Sequence, residues 1–347
     1  MRLTAVCVLV VVGWGSSAGA WDTAAGSDTN YGSITLGGTS GDYSYWVAVD
    51  GAGNVYTTGN FSGTVNFGAG VVVSAGDSDA YVSKYNAAGA HQWTTTFGGT
   101  GSDRSYGVAV DGSGNVHVAG YFTNTVDFGA GDVTSAGDQD AFVTKLNSAG
   151  AHQWTTTFGG TGSDASYGVA VDGAGNVHVA GYFRNTVDFG AGDVTSAGAE
   201  DAFVTKLNSA GAHQWTTTFG GTGTNPHGTS TDTGFGVAVD GAGNVHVAGY
   251  FTDTVDFGAG DVTSNGKTDG FVTKLNAAGA HQWTTTFGGI SGDQSYGVAV
   301  DGSGNVHVAG QFASTVDFGA GDVASTANGA DVFVVKLNSA GQAVVAP

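Results

Sequence analysis

Apolar and polar side chains alternate along this chain with a period of two, which is the pattern of β-strands rather than of helices. Glycine interrupts every stretch that could otherwise form a helix. In a representative stretch, the predicted strands are 106–111, 116–122, 142–146 and 153–158. Turns with glycine join the first strand to the second and the third to the fourth. Residues 125–137, between the second and third strands, are predicted to form a short accessory hairpin or an elaborated loop.

The same four-strand pattern recurs five times along the chain. Each copy carries the turn motif Asp-Gly-[Ala/Ser]-Gly-Asn-Val, which starts at Asp50, Asp111, Asp172, Asp240 and Asp301. Residues 103–162 and 164–223 differ at only five positions. These are Arg104/Ala165, Ser113/Ala174, Thr123/Arg184, Asp138/Ala199 and Gln139/Glu200. One copy is preceded by an insert, Thr224 to Ser230. Such similarity indicates recent duplication of one structural unit.

A four-stranded antiparallel unit repeated in this way is typical of a β-propeller, in which each sheet is a blade packed between its neighbours. The small residues 107–110 suit the crowded strand nearest the axis, and Trp154 and Phe158 supply bulk on the outermost strand. We therefore predict an all-β, five-bladed β-propeller, with an open β-solenoid or repeat array as the alternative. The predicted blades are 43–99, 104–160, 165–221, 233–289 and 294–347.

The last copy lacks the outer-strand sequence Trp-Thr-Thr-Thr-Phe-Gly-Gly. Residues 33–38, Ser-Ile-Thr-Leu-Gly-Gly, resemble this missing piece and precede the first copy. We predict that they supply the outer strand of the fifth blade and close the ring. Residues 343–346 are an alternative for part of the same position, and an open solenoid would leave the two ends apart.

Residues 1–20 have the pattern of a secretory signal peptide, with basic Arg2, an apolar run from Leu3 to Trp14, and small residues ending at Ala20. The remaining residues, 21–347, are predicted to form a single domain. The only cysteine, Cys7, lies inside the apolar run, so the mature chain would fold without disulfides. We expect a secreted or cell-surface protein, with the periplasm as an alternative location, and no membrane span in the mature chain.

Composition narrows the classes of partner. Glycine accounts for 63 of 347 residues without the strict period of collagen, and 41% hydrophobic residues argue against disorder. Acidic residues outnumber basic ones by 29 to 9, which gives a net charge of −20. This charge disfavours nucleic acids and anionic membranes as partners, and it favours cations or neutral ligands.

Three segments, 108–120, 140–150 and 154–160, resemble the bacterial repeat family named for seven-bladed β-propellers. The resemblance covers nearly the whole mature chain. It implies a propeller on a secreted or cell-surface bacterial protein, but it implies no catalytic residues. The chain differs from the family name in having five copies.

One set of aspartates lies in the loop that enters each innermost strand, where a propeller gathers its loops near the axis. We predict ligand binding by this set and by two residues of the insert, namely Asp42, Asp103, Asp164, Asp232, Asp293, Asn225 and His227. A second group is expected to join that face as a modest divalent-cation site. Its members are Asp127, Asp132, Asp140, Asp188, Asp193 and Asp201. Carboxylate oxygens suit calcium, which is the one cofactor we predict, although a solvated acidic face is the simpler interpretation.

The other repeated polar residues are predicted to be structural. The turn aspartates that begin each Asp-Gly motif suit capping of nearby backbone N–H groups, and the aspartates that precede each third strand are expected to be structural as well. Two sets of histidines recur in the second and fourth strands, and neither spacing places two on one strand face. We expect packing or hydrogen bonding from them rather than metal binding.

Because nearly every polar residue recurs, one asymmetric catalytic site is disfavoured. We predict a non-enzymatic propeller that presents repeated loops for multivalent binding of protein or carbohydrate at a cell surface or in the extracellular matrix. One alternative is a structural or assembly protein that associates with itself through the uncharged outer strands. Another is a carbohydrate-active hydrolase, for which a pair of carboxylates or His227 with Asp232 would have to act.

Overall fold

The computed structural model describes residues 36–38, 40–225, 228–326 and 329–344, and its regular elements there are all β-strands. Copy 1 and the residues before it contain β1 Gly37–Gly38, β2 Asp42–Val49, β3 Val55–Phe61, β4 Thr64–Asn66, β5 Val71–Val73, β6 Asp79–Tyr85 and β7 His91–Phe97. Copy 2 contains β8 Arg104–Val110, β9 Val116–Phe122, β10 Thr125–Asp127, β11 Asp132–Thr134, β12 Asp140–Leu146 and β13 His152–Phe158.

Copy 3 contains β14 Ala165–Val171, β15 Val177–Phe183, β16 Thr186–Asp188, β17 Asp193–Thr195, β18 Asp201–Leu207 and β19 His213–Phe219. The insert forms β20 Thr224–Asn225 and β21 Gly228–Thr229. Copy 4 contains β22 Thr233–Val239, β23 Val245–Phe251, β24 Thr254–Asp256, β25 Asp261–Thr263, β26 Asp269–Leu275 and β27 His281–Phe287. Copy 5 contains β28 Gln294–Val300, β29 Val306–Ala313, β30 Thr315–Asp317, β31 Asp322–Ala324 and β32 Ala330–Leu337.

Each of copies 1 to 4 folds into a four-stranded antiparallel sheet in the predicted strand order, for example β14-β15-β18-β19. Copy 5 forms a three-stranded sheet, β28-β29-β32, within the described residues. In copy 2 the second strand has the predicted bounds, and the others begin one or two residues earlier than predicted. The segment between the second and third strands is a hairpin, β10 with β11, so the first of the two alternatives for residues 125–137 is confirmed.

The chain divides into two compact units, Met1–Thr157 and Phe158–Pro347. Copies 1 and 2 lie in the first unit, and copies 3 to 5 lie in the second. The repeated all-β sheets agree with a propeller or repeat fold. Five blades and closure into one ring stay predictions.

The two candidates for the last outer strand take different places. Of residues 33–38, the first three lie outside the described residues, and Gly37–Gly38 pair with Val65 and Asn66 of copy 1. Ala343 forms a bridge with Leu337, and the Val344 backbone N–H donates to the Lys336 carbonyl over 2.8 Å. The described part of the C-terminal segment therefore bonds to the outer edge of β32 at its C-terminal end, and the described sheet of copy 5 has three strands.

Phenylalanines build the cores between successive copies. In unit 1, Phe128 of the accessory hairpin lies with its ring centroid 5.4 Å from that of Phe122 and 4.8 Å from that of Phe142. Phe97 of copy 1 packs against the same group, 5.7 Å from Phe128. All four are at most 3% exposed, and burial of each side chain contributes about 1.5–3 kcal/mol. The accessory hairpin therefore has a structural role, because its phenylalanine packs in the core between neighbouring sheets.

Glycine lets the innermost strands of neighbouring copies approach closely. In unit 2, a Cβ atom added to Gly168 would lie 2.5 Å from the Phe235 carbonyl oxygen, and one added to Gly236 would lie 2.7 Å from that of Tyr296. No side chain fits at such distances. This agrees with the expectation that small residues crowd the first strand.

Candidate functional site

Each repeated sheet has two ends of different character. In copy 2 the first strand begins at the same end at which the second finishes, because Arg104 pairs with Tyr121 and Asp140 pairs with Phe122. Four of the five differences between copies 2 and 3 lie at this end, which we call the variable end. They are at residues 104, 123, 138 and 139 in copy 2. The opposite end, with the turns 111–115 and 147–151, we call the constant end.

The constant end is held by side chains that cap their own turns. Asp111 Oδ1 accepts the backbone N–H groups of Ser113 and Asn115, each at 2.9 Å. Asn147 Oδ1 accepts those of Ala149 and Ala151, each at 3.0 Å. The same contacts recur in the other copies, so the predicted capping role of the turn aspartates is confirmed.

The variable end carries exposed side chains whose chemistry changes from copy to copy. Asp77 and Asp138 are exposed acids in copies 1 and 2, and the equivalent position in copy 4 is the exposed base Lys267. In copy 3, Arg184 and Glu200 form an ion pair there. The insert lies at the same end, since it joins β19 to β22. Charge is therefore redistributed at this end while the strands are retained.

An aromatic side chain stands beside the variable end in every copy. Each first strand has a β-bulge, and the residue inside the bulge is Tyr45, Tyr106, Tyr167, Phe235 or Tyr296. A bulge turns one side chain away from the regular alternation of a strand. All five residues are partly exposed. We call them the aromatic strip, of which each compact unit carries a part.

Members of the aromatic strip contact one another in tilted or edge-on geometry within each unit. The ring centroids of Tyr45 and Tyr106 are 4.9 Å apart in unit 1. In unit 2, Phe235 lies 4.9 Å from Tyr167 and 5.3 Å from Tyr296. These are favourable distances for aromatic pairs. In unit 2, Gly168 and Gly236, which follow Tyr167 and Phe235, allow this approach because they bring the neighbouring backbones together.

Polar groups along the aromatic strip differ between copies. The Arg104 guanidinium lies 5.9 Å from the ring centroid of Tyr121, beside Tyr106. In copy 5, Gln294 takes the place of this arginine and accepts hydrogen bonds from the Tyr296 hydroxyl and, over 3.0 Å, from the Gln311 side chain. Neutral and cationic hydrogen-bonding groups thus flank a shared apolar surface.

Sequence reasoning missed the aromatic strip. Its signal is an aromatic residue directly before the small residues of the first strand in copies 2 to 5, as in Ser-Tyr-Gly-Val-Ala-Val. Alternation of apolar residues alone does not show a bulge. The repeated aromatic-glycine pair was the available sign.

The first predicted binding set does not form an exposed acidic mouth, and that expectation is corrected. Asp103, Asp164, Asp232 and Asp293 are at most 1% exposed, whereas Asp42 is partly exposed. The buried members satisfy backbone N–H groups where one copy leads into the next. Asp103, for example, accepts the N–H groups of Gly99 and Thr123, each at 2.9 Å. Direct ligand contact by this set stays a prediction that its placement does not support.

Two further members of the predicted binding set lie in the insert. Asn225 is described by its backbone, which pairs with Gly228. His227 lies outside the described residues. Binding by these two residues stays a prediction.

The six aspartates predicted to hold a cation do not converge. The accessory hairpin folds back along its sheet, so that Gly129 at its tip lies against His152 near the constant end. Asp127 and Asp132 pair near that exposed tip, whereas Asp140 is buried at the other end of the sheet. Copy 3 repeats this with Asp188 and Asp193 at the tip and Asp201 buried.

Hydrogen bonding explains both classes of aspartate in that group. Asp127 Oδ1 accepts the N–H groups of Gly129 and Gly131, which lowers the pKa of this carboxyl. Asp140 Oδ2 accepts that of Ala136 at 3.0 Å, and burial raises the pKa of Asp140. Among the described residues, no group of three or more His, Cys, Asp or Glu side chains could hold a metal ion. Calcium binding stays a prediction.

Buried carboxylates from successive copies influence each other. Burial, with a smaller contribution from the charge of Asp79, raises the pKa of Asp103 to about 6. Burial and the charge of Asp201 raise the pKa of Asp232 to about 8. Ionisation of Asp232 is therefore suppressed at neutral pH, whereas ionisation of Asp103 is suppressed only at mildly acidic pH.

The two sets of histidines take structural positions, as predicted. His117 and His178 are fully buried on their second strands, and burial lowers the pKa of each to about 4. The His117 ring lies 6.0 Å from that of Trp154. In the fourth strands, His152 Nε2 is hydrogen-bonded to Thr155 Oγ1 at 3.0 Å.

Comparison with known families identifies the repeat. A family model described as a beta-propeller repeat matches residues 92–125, 153–182 and 282–311. Each match begins in the outer strand of one copy and continues through the first two strands of the next. The resemblance drawn from the sequence is therefore confirmed at these three places.

The similar curated proteins are much longer than this chain. Regulatory protein FlaEY of Caulobacter vibrioides is 26% identical over 282 residues, which cover 76% of this chain and 29% of FlaEY. The uncharacterized WD repeat-containing protein L264 of Acanthamoeba polyphaga mimivirus is 24% identical over 251 residues, 60% of this chain and 18% of that protein. The chain thus spans less than a third of either relative.

Among solved structures, a protein of unknown function from Bacteroides caccae is similar, with a TM-score of 0.39 and 12% identity. The similarity covers 76% of this chain and 88% of that protein. Among the described residues there is no helix long and apolar enough to cross a membrane.

Proposed function

We propose that this protein is a non-enzymatic, multivalent binding protein whose variable end faces the ligand. The observation that carries the proposal is the placement of differences between nearly identical copies. Four of the five differences between copies 2 and 3 lie at one end of the sheet, whereas the capped turns of the other end recur. Variation concentrated at one end of a retained frame is what selection on a binding surface produces.

The ligand that best fits this surface is an extended, neutral carbohydrate. Sugar rings pack their C–H faces on aromatic side chains, and their hydroxyl groups bond to neutral amides and hydroxyls. The aromatic strip supplies the aromatic side chains, and residues such as Gln294 and Gln311 supply the neutral amides. Repeated weak sites on one chain gain affinity because the second contact forms at high effective concentration.

Secretion or display at the cell surface completes the proposal, and it rests on the sequence of residues 1–20 alone.

The absence of catalysis is supported by the carboxylates at the variable end. Asp103 and Asp293 are buried and bonded to backbone N–H groups, so they offer no accessible acid and base pair. A hydrolase would have to use other residues.

A binding screen tests this proposal. The mature chain is applied to an array of neutral, unbranched oligosaccharides, and the best oligosaccharide is then titrated by calorimetry. We expect Tyr106→Ala and Tyr167→Ala each to weaken binding by about tenfold, which is about 1.4 kcal/mol. Tyr106→Leu keeps the apolar volume and serves if the alanine variant fails to fold.

Ser113→Ala at the constant end is the matched control, and it should leave the dissociation constant unchanged. A chain that binds no glycan on the array would contradict the carbohydrate part of the proposal. Glycan binding that survives loss of both tyrosines would contradict the placement of the site.

A second candidate, a structural or assembly protein, is favoured by a different observation. Val332 and Val334 of β32 are 70% and 73% exposed, an unusual state for neighbouring valines on one strand face.

A further inference from the structure

Successive copies within a unit are joined by the same contacts each time. In unit 1 the Trp93 indole N–H donates to the Ser148 carbonyl over 3.1 Å, and Gly99 packs on the Thr125 carbonyl of the accessory hairpin. Corresponding contacts in unit 2 join Trp215 to Ala277, Trp283 to Ser339, Gly221 to Thr254 and Gly289 to Thr315. An apolar cluster fills the space between the two sheets at each of these junctions.

Copy 5 presents one half of such a junction to solvent. Val332 and Val334 are 70% and 73% exposed, whereas their counterparts in copy 3, Ala202 and Val204, are fully buried against copy 4. A cavity of about 390 Å³ lies along β32 and is lined in part by Phe312. On the open edge of β32, the described contacts are those of Ala343 and Val344 near its C-terminal end.

Copy 1 presents the other half, and residues 36–38 already occupy part of it. Leu36 packs on the cluster of Phe61, Val65 and Phe67, as Phe97 packs on the cluster of copy 2. Gly38 lies against the Thr64 carbonyl as Gly99 lies against that of Thr125. Its N–H donates to Asp42 Oδ2 over 2.7 Å, as that of Gly99 donates to Asp103.

In copy 1 a cavity lies at the position where, in copy 2, the tryptophan of the preceding copy packs. This open cavity of about 450 Å³ is lined by residues that include Leu36, Tyr85 and Gly89. Gly150, the counterpart of Gly89 in copy 2, is the residue on which the Trp93 ring packs. Copy 1 is therefore shaped to receive the outer strand of a preceding sheet.

We propose that copy 5 of one chain binds copy 1 of a second chain, so that chains join head to tail. Leu36 of the second chain lies at the open edge of β32, and the first sheet of that chain covers Val332 and Val334. The two half-junctions are complementary because each is one side of a contact that the chain repeats internally. Contact between two different surfaces of one protein is heterologous, and it continues into a ring of chains or a filament.

The register follows from copy 3, where Ala202 pairs with Phe219 and Val204 pairs with Thr217. By correspondence, Val332 pairs with Leu36 of the second chain. The test is Leu36→Cys combined with Val332→Cys in a Cys7→Ser background, treated with a short bismaleimide and run on a denaturing gel. Ile290→Cys with Val332→Cys is the control, since Ile290 is 80% exposed at the variable end.

We expect a ladder of dimers and higher species from the test pair and at least tenfold less from the control pair. Crosslinking only within single chains would show that the chain's own first strand fills the edge, and it would overturn the proposal. Absence of crosslinks would overturn it as well.

Sedimentation gives an independent readout without cysteines. The mean mass of the natural chain should rise with concentration, whereas Val332→Asp with Val334→Asp should remain monomeric and Ile290→Asp should associate normally. A natural chain that stays monomeric at every concentration contradicts the proposal. Loss of glycan binding in these variants is not expected, so this inference and the proposed function fail separately.

Discussion

The two ends of each sheet are built by the same means but are used differently. At both ends a short polar side chain accepts backbone N–H groups, as Asp111 does at the constant end and Asp103 at the variable end. The difference lies in what surrounds these caps. At the constant end the exposed turn residues change only between uncharged side chains, as Ser113 does to Ala174, whereas at the variable end exposed residues such as Asp138 and Lys267 change charge around a buried frame. Because the buried side chains bond to backbone groups close to them, exposed residues beside them can change without loss of the fold.

The largest expected effect is on the buried frame of the variable end. Asp103→Ala leaves two backbone N–H groups without their acceptor in a buried site, and we expect a loss of about 2–4 kcal/mol in unfolding free energy. Urea unfolding followed by tryptophan fluorescence measures this loss in unfolding free energy. Asp138→Ala, an exposed aspartate at the same end, should change stability by less than about 0.5 kcal/mol. Equal effects of the two substitutions would remove the distinction between frame and surface.

A smaller loss is expected at the constant end. Asp111→Ala removes the acceptor for two N–H groups of a solvent-accessible turn, where water replaces part of the lost bonding. We expect a loss of about 1–2 kcal/mol in the same urea experiment. Ser113→Ala in the same turn is the control and should be neutral. A loss larger than that of Asp103→Ala would reverse the order predicted from burial.

The ends should also respond to pH in opposite directions. Burial raises the pKa of Asp232 from 3.8 to about 8, so the folded chain holds a proton that the unfolded chain has lost. Its stabilisation is complete below pH 3.8 and is lost as the pH rises through 8. Burial lowers the pKa of His178 from 6.5 to about 4, so its stabilisation is complete above pH 6.5 and is lost as the pH falls through 4.

Melting temperatures measured between about pH 5 and pH 7.5 separate these contributions. Relative to the natural chain, Asp232→Asn should gain stability as the pH rises through this range, and His178→Gln should lose it. Each trend is expected to amount to a few degrees, about 2–4 °C per kcal/mol for a unit of this size. Parallel trends in the two variants would contradict the assignment of either buried group.

Much of the fold follows from the sequence because the repeat is short-range. The alternation in Val116–Phe122 and the capped turns around Asp111 and Asn147 depend on neighbouring residues, and they were predicted correctly. The accessory hairpin was one of two alternatives, because its fate depends on Phe128 entering a core made with another copy. Local pattern does not reveal such a partner.

The candidate site was harder to predict, for two physical reasons. Asp103 looks like an exposed ligand from its position in a glycine-rich loop, but the loop buries it to satisfy its own N–H groups. Tyr106 looks like an ordinary strand residue, but a bulge turns it out of the alternation. Both depend on hydrogen bonds between strands that the sequence does not display.

A fourfold variant of copy 2 is expected to change stability least and to give the most informative change in ligand binding. Arg104→Ala, Thr123→Arg, Asp138→Ala and Gln139→Glu together convert the variable end of copy 2 into that of copy 3. Calorimetric titration with the oligosaccharide selected on the array should show an altered dissociation constant, by about threefold or more, with unfolding free energy changed by less than about 0.5 kcal/mol. Ser113→Ala, the one remaining difference between these copies, should leave the dissociation constant unchanged. Identical binding by the fourfold variant and the natural chain would contradict the assignment of the variable end as the ligand-binding surface.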